Sequence, residues 1–184
     1  MDMMWTDFLN SDYHDWKEGK HDQDKLPLSS WQQLFLEQHQ LNAHAPATEQ
    51  ELEMLQELRV KLSQIASQAS SGESLSTQHL AYLNSVLQGA SVQRQLQIKD
   101  EQLALHYSSQ QIGWHAVAAE IVTDFAKTLL DGDARRIRHC DNPDCRWVFY
   151  DDTRSRTKRY CDDKLCGNLM KVRRFRARQK NNTT

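Results

Sequence analysis

Cys140-Asp141-Asn142-Pro143-Asp144-Cys145 and Cys161-Asp162-Asp163-Lys164-Leu165-Cys166 hold all four cysteines of the chain, in two equally spaced pairs separated by fifteen residues. Each short loop can deliver two thiolates to one point, and the insert is long enough to fold back and bring the two points together. A tetrahedral four-cysteine zinc site requires this. Pro143, between Asn142 and Asp144, supplies the turn that folds the first loop on itself. Four intervening residues per pair are less specific than the commoner two, so an iron–sulfur cluster and two disulfides stay open as alternatives at this point. Disulfides are disfavoured in a reducing cytosol, where zinc thiolates persist. The opening stretch, with Asp2 and Asp7 and no basic residue, is unlike a secretory or mitochondrial leader. The expectation is a cytoplasmic protein with one structural zinc ion on Cys140, Cys145, Cys161 and Cys166, leaving no open coordination position for catalysis.

Outward from the cysteines, Arg146–Asp151 alternates Trp147 and Phe149 against Val148 and Tyr150. This reads as the first strand of a hairpin returning through Lys158, Arg159 and Tyr160. The second pair opens a helix from Gly167 to about Gln179, completing a treble-clef-like arrangement. So short a module has little core of its own, and a metal would be its staple. From Lys171 to Lys180, six of ten residues are basic and none is acidic. At about 100° per residue, Lys171, Arg174 and Arg178 form one ridge, and Arg173, Arg176 and Lys180 another. Leu169, Val172 and Phe175 leave a narrow apolar seam to rest on the hairpin. Arg154, Arg156, Lys158 and Arg159 add a second cationic cluster. These surfaces suit the phosphates of a nucleic acid. Trp147 and Phe149 could stack single-stranded bases, but an aromatic pair in so small a module is more often its core.

Charge divides the chain in the same place. Residues 1–134 carry 8 Lys/Arg against 19 Asp/Glu, or −11, while residues 135–184 carry 15 against 6, or +9. A zinc ion with four thiolates lowers the second figure to about +7. A chain of 184 residues, 39% apolar and 26% charged, has a globular composition, and no apolar run approaches the roughly 18 residues of a membrane span. Two domains follow, an acidic one over 1–134 and a basic one over 135–184.

The first domain reads as mainly helical. Trp31, Leu34, Phe35, Gln38 and Leu41 follow Pro27-Leu28-Ser29-Ser30 at helical spacing. Thr48-Glu49-Gln50-Glu51 has the form of a capping box, ahead of a stripe of Leu52, Leu55, Leu58, Leu62, Ile65 and Ala69. A third helix spans about 76–88, with Leu80, Leu83 and Leu87 inward and Gly89 as its stop. Then the period changes: Val92 to Ile98 and Leu103 to Tyr107, around Lys99-Asp100-Glu101, read as a β-hairpin. Ser109 is placed to cap a last helix carrying Trp114, Val117, Ala118, Ile121, Phe125 and Leu129. The fold class is α+β: a mainly helical domain with a hairpin, then a small four-cysteine zinc module ending in a basic helix.

Residues 138–178 resemble the CGNR-type zinc finger. The likeness rests on both cysteine pairs, Trp147-Val148-Phe149-Tyr150-Asp151, Arg154-Ser155-Arg156 and Cys166-Gly167-Asn168. That family usually carries an N-terminal ABATE domain, a predicted regulatory domain. Asp7-Phe8-Leu9-Asn10-Ser11 and Leu28-Ser29-Ser30-Trp31 are similar to its opening segments. Leu169 stands where the fourth letter of CGNR would put arginine, removing one positive charge, and Tyr160 stands where the family often has tryptophan. The resemblance implies a bacterial transcriptional regulator that binds double-stranded DNA.

No nucleophile elbow, phosphate loop, HExxH or dinucleotide fingerprint occurs, so no enzymatic activity is expected. Asp7, Asn10, Tyr13 and His14, with Trp114, could line a small-molecule pocket; the alternative is that the aromatics of 5–16 are core. Nucleic-acid binding is set against three rivals: a module that binds RNA or an acidic protein, the basic tail docked on its own acidic domain, and a ligand-binding or catalytic first domain with the finger as mere scaffold. A homodimer would suit a DNA reader, since tethering two weak modules raises affinity.

Overall fold

A computed structural model of the chain describes residues 3–99, 101–109 and 112–182. The elements run α1 (Met4–Leu9), β1 (Asp12–His14), β2 (His21–Asp24), α2 (Ser29–Gln38), α3 (Glu49–Ser70), α4 (Thr77–Gln88), β3 (Val92–Lys99), β4 (Gln102–Ser109) and α5 (Trp114–Asp131). After a 3-10 turn come β5 (Ile137–His139), β6 (Val148–Tyr150), a π turn over Asp163–Gly167 and α6 (Asn168–Asn182). The strands make three separate antiparallel pairs, β1–β2, β3–β4 and β5–β6. The chain is thus α+β, with a four-cysteine cluster ahead of a last helix.

The main core lies between α3 and α5. Leu55, Leu58, Leu62 and Ile65 are buried against Ile121, Val122 and Phe125, and α1 inserts Trp5 and Phe8. The Trp5 indole N–H donates to the Thr128 hydroxyl at 3.0 Å, and its ring meets Phe125 edge-on at 5.2 Å between centroids. Each such apolar side chain contributes about 1.5–3 kcal/mol by leaving water. The start of α3 is set by its sequence. The Thr48 hydroxyl accepts from the Glu51 N–H, and the Glu51 carboxylate accepts from the Thr48 N–H, a reciprocal capping box.

Four local expectations change. In α4, Leu83 is buried as expected, while Leu80 is exposed, on the side of the helix away from the core. In α2, Leu34 is exposed and Gln32 is buried instead, because the Gln32 amide donates to the Leu26 carbonyl and accepts from the Ala47 N–H. Ser109 belongs to β4, and α5 begins at Trp114 behind Gly113, whose φ of 123° favours glycine. The strand at 148–150 does not pair with 158–160. Its partner is β5, ahead of the first cysteine, with Ile137 opposite Tyr150 and His139 opposite Val148. The β3–β4 hairpin forms as expected, with Leu96 opposite Leu105 and Ile98 opposite Leu103; Asp100 in its expected turn lies outside the described residues.

This strand pairing joins the two halves of the chain. Ile137 and Val148 are part of the main core, although they flank the first cysteine pair. Asn10 closes the seam. Its amide donates to the Val148 carbonyl and its amide oxygen accepts from the Val148 N–H, both at 2.9 Å, as a neighbouring strand would. Asn10→Ala leaves both Val148 groups without these partners, and the cost of an unpaired buried polar group is about 1–3 kcal/mol. A lowered denaturant midpoint for Asn10→Ala is the expected result; an unchanged midpoint would mean that water replaces the amide.

Candidate metal centre and cationic surface

The four cysteine sulfurs lie within 4.8 Å of one another; Cys140, Cys145 and Cys166 are buried and Cys161 half-buried. Cys145 and Cys161 Sγ are 3.6 Å apart and Cys161 and Cys166 Sγ 3.8 Å, far beyond the roughly 2.05 Å of a disulfide. A tetrahedron of sulfurs at about 2.3 Å from zinc has edges of about 3.8 Å. The four thiols interact strongly. Hydrogen bonds from Cys145 and Cys161 pull the Cys140 thiol well down, while the hydrogen bond to Cys140 pushes Cys145 up. Cys161 is pushed up by its hydrogen bonds to Cys140 and Cys145, and Cys166 mainly by burial. Four sulfurs this close ionise together only around a cation, and the donor set fits one structural zinc ion.

Backbone geometry explains why these loops converge. The Cys140 N–H donates to Trp147 O at 2.8 Å and the Cys145 N–H to Asn142 O at 3.0 Å, closing the first loop. Asn142 is fully buried; its amide donates to Trp16 O at 2.7 Å and to Cys166 Sγ at 3.4 Å, and its oxygen accepts from the Asp144 N–H. It therefore ties the first loop, the second loop and the β1–β2 connection together. Asp162 caps the π turn by accepting from the Lys164 and Leu165 N–H groups, which turns Cys166 inward. Phe149 and Tyr160 complete a satellite core, against which Trp16, Trp147 and Met170 pack. Trp147 and Phe149 thus serve this small core.

The loop from 151 to 158 is organised by one buried carboxylate. Asp151 accepts from the Thr153 N–H and hydroxyl on one oxygen and from the Lys158 N–H on the other. Burial opposes its charge, but these donors outweigh burial and hold the carboxyl below the usual range. A depressed carboxyl stabilises the fold above its unfolded value of about 3.9 and loses that contribution as pH falls through the folded value. Asp151→Asn is expected to flatten the acid limb of the stability–pH curve below about pH 4. A limb identical to wild type would show that the carboxylate charge adds nothing there.

The cations sort into two groups. Arg156 pairs with Asp133 at 2.7 Å and Arg159 with Asp141 at 2.6 Å; Lys158 lies over the Phe149 ring. Arg173 is braced between the Asp144 carboxylate and the Lys17 carbonyl, fixing the base of α6 to the β1–β2 connection. Gly19 makes this approach possible, with φ of 73° and Asp144 Oδ1 only 2.5 Å from where a Cβ would stand. Among the described residues Lys171, Arg174, Arg176, Arg178 and Arg154 have no acidic partner, and all five are exposed. The expected seam is only partly laid down: Leu169 is half-buried, while Val172 and Phe175 are exposed.

The candidate pocket residues separate. A cavity of about 430 Å³ between the two halves is lined by Asn10, Asp12, His14, His139 and Arg146, among others. Tyr13 and His14 border a second, of about 260 Å³, beside Trp16 and Trp147; Asp7 and Asn10 border a third, of about 160 Å³. Trp114 joins none of these. It is buried and donates its indole N–H to His44 O. Sequence reasoning did not find the roles of Asn142, Trp16 and Arg173, whose partners are in part more than 100 residues away.

A helical domain sharing its core with a four-cysteine finger defines a zinc-finger protein with an appended helical domain. Comparison with family models agrees. The ABATE model, described as "Putative stress-induced transcription regulator", matches residues 2–132, and the CGNR zinc finger model matches residues 136–179. The chain belongs to the ABATE family and carries a CGNR zinc finger. Comparison with curated proteins finds no match. No helix among the described residues is long and apolar enough to cross a membrane.

Proposed function

We propose that this protein is a bacterial, cytoplasmic transcription regulator that binds double-stranded DNA through α6, and that it is not an enzyme. The observation that carries the reading is the state of that helix. Its base is pinned by Arg173 and the zinc cluster, and Lys171, Arg174, Arg176 and Arg178 are exposed without acidic partners among the described residues. A chain that merely neutralised itself would have laid these groups on its own acidic half. Arg154, on the loop held by Asp151, adds a further free cation. The cavity between the halves is where a small-molecule effector would touch both the helical domain and the finger. Two copies on one duplex would gain affinity by tethering.

Contacts of this kind are mainly to phosphates, and each phosphate neutralised adds about 0.9 to the slope of log K against log salt. For the zinc-loaded full chain and a mixed-sequence duplex, steep salt dependence is expected. Lys171→Ala with Arg174→Ala lowers the slope by about 2. If both cations are removed and the slope stays the same, the assignment fails. Preference for an acidic protein surface over duplex DNA would favour an interaction module.

A further inference from the structure

We infer that the outward face of α6 reads the 5-methyl groups of thymine in the major groove through Phe175 and Val172, flanked by a phosphate-binding ridge. The inference rests on the DNA-binding reading above and adds to it the groove, the base chemistry and the reading residues.

One side of α6 is occupied by the rest of the fold. Arg173 turns toward Asp144 and Lys17, Met170 packs on the satellite core, and Leu169 is half-buried. At about 100° per residue these three fall within about 100° of one another and mark the inner side. Turned away from that side lie Lys171 and Arg178, with Arg174 beside them, the three within about 60° of one another. Phe175 lies beside this ridge, about 40° from Lys171, and Val172 about 60° further round on the same side; they are 61% and 45% exposed. From residue 174 to 181 every side chain is exposed, so this stretch stands clear of the fold.

A phenylalanine and a valine one turn apart on a clear helix face need a partner, and their neighbours say which kind. No Asp or Glu occurs after Asp163, so the chemistry around the ring is cationic. An apolar protein groove would have to accept unpaired cations beside the ring. A second copy of α6 would place like charges together. Duplex DNA satisfies both features at once, because phosphates line a groove whose floor carries apolar methyl groups wherever thymine occurs. The major groove admits an α-helix, and apolar contact with the thymine methyl is one of its few non-hydrogen-bonding signals. Fifteen residues make α6 about 22 Å long, enough to lie in the groove while its base stays on the zinc module. Leu169 faces inward, so the residue in the place of the family's arginine is not on the reading face.

The test compares two duplexes of equal length and charge, one of alternating A·T pairs and one with uracil in place of thymine, which lacks only the 5-methyl group. The zinc-loaded full chain should bind the thymine duplex more tightly, by about three- to fivefold per methyl covered. Phe175→Ala, an exposed position whose zinc content and melting temperature verify the fold, should bring the ratio toward one while keeping the salt slope. Lys171→Ala should lower the slope while keeping the ratio. Equal binding of both duplexes by the native chain, with a steep salt slope, overturns the methyl reading and leaves DNA binding standing. So does a ratio that survives Phe175→Ala. Absence of salt-dependent binding to either duplex overturns the DNA-binding reading itself. A DNA-free dimer that Phe175→Ala dissociates would identify the face as a contact between copies and overturn the inference.

Discussion

Cys145→Ser is expected to abolish stoichiometric zinc binding and to unfold residues 137–182 as a unit. The site supplies four sulfurs and no other ligand, so one serine leaves an incomplete tetrahedron. Apart from Ile137 and Val148, which pack into the main core, the described residues of the finger bury Phe149 and Tyr160 around the cysteines, with a few half-buried neighbours. Structural zinc contributes apparent binding free energies of about 10–16 kcal/mol to such modules, and that is folding free energy. Released zinc measured against a metallochromic dye should fall from one ion per native chain to near zero. Near-ultraviolet dichroism from Trp147, Phe149 and Tyr160 should flatten with it. A strong chelator should give the same spectrum, faster at lower pH, because protons compete for each thiolate. A chain that keeps its spectrum after chelation would show that the metal is dispensable.

The loss should reach the helical domain as well. Ile137 and Val148 belong to the main core, and Asn10 and Trp16 hold the finger by hydrogen bonds from the other side. Removing the metal frees those strands, so the helical domain that remains folded should melt earlier than it does in the native chain. A helical transition left unmoved would mean that the halves are energetically independent despite the shared core.

The readable parts of this chain are those whose chemistry is local in sequence. The cysteine pairs announce their site because both ligands of each loop sit five residues apart. The capping box at Thr48 and the α3 stripe announce a helix for the same reason, and Leu55, Leu58, Leu62, Ile65 and Ala69 are all buried. What was not legible is set by partners far along the chain. β5 has only three residues, too few to show a period, and its pairing with β6 spans the first cysteine loop. Gln32 looks like a surface residue, and only the carbonyl of Leu26 and the N–H of Ala47 make its burial possible. Arg173 belongs by spacing to a cationic ridge, and its brace on Asp144 and Lys17 has no counterpart in local pattern. The apolar stripe on α6 is visible in the spacing of Leu169, Val172 and Phe175, but a stripe does not say what covers it.

Trp5→Ala should destabilise the chain by about 3–5 kcal/mol, the range for deleting a large aromatic side chain from a packed core. Trp5 is fully buried, rests edge-on against Phe125 and spends its indole N–H on Thr128. Its removal opens a cavity between α1 and α5 and takes away the indole donor to the Thr128 hydroxyl, which still donates to the Asp124 carbonyl. Trp5→Phe separates the two effects: it keeps most of the volume and loses the hydrogen bond, for which about 1 kcal/mol is expected. The α1 helix leads directly into Asn10 and so into β6, whose Val148 sits beside the zinc loops. By linkage, what binds only the folded state stabilises it, and what loosens the fold weakens that binding. Trp5→Ala should therefore release zinc to a chelator faster than the native chain does. A destabilised Trp5→Ala chain with native zinc retention would locate the coupling elsewhere than α1.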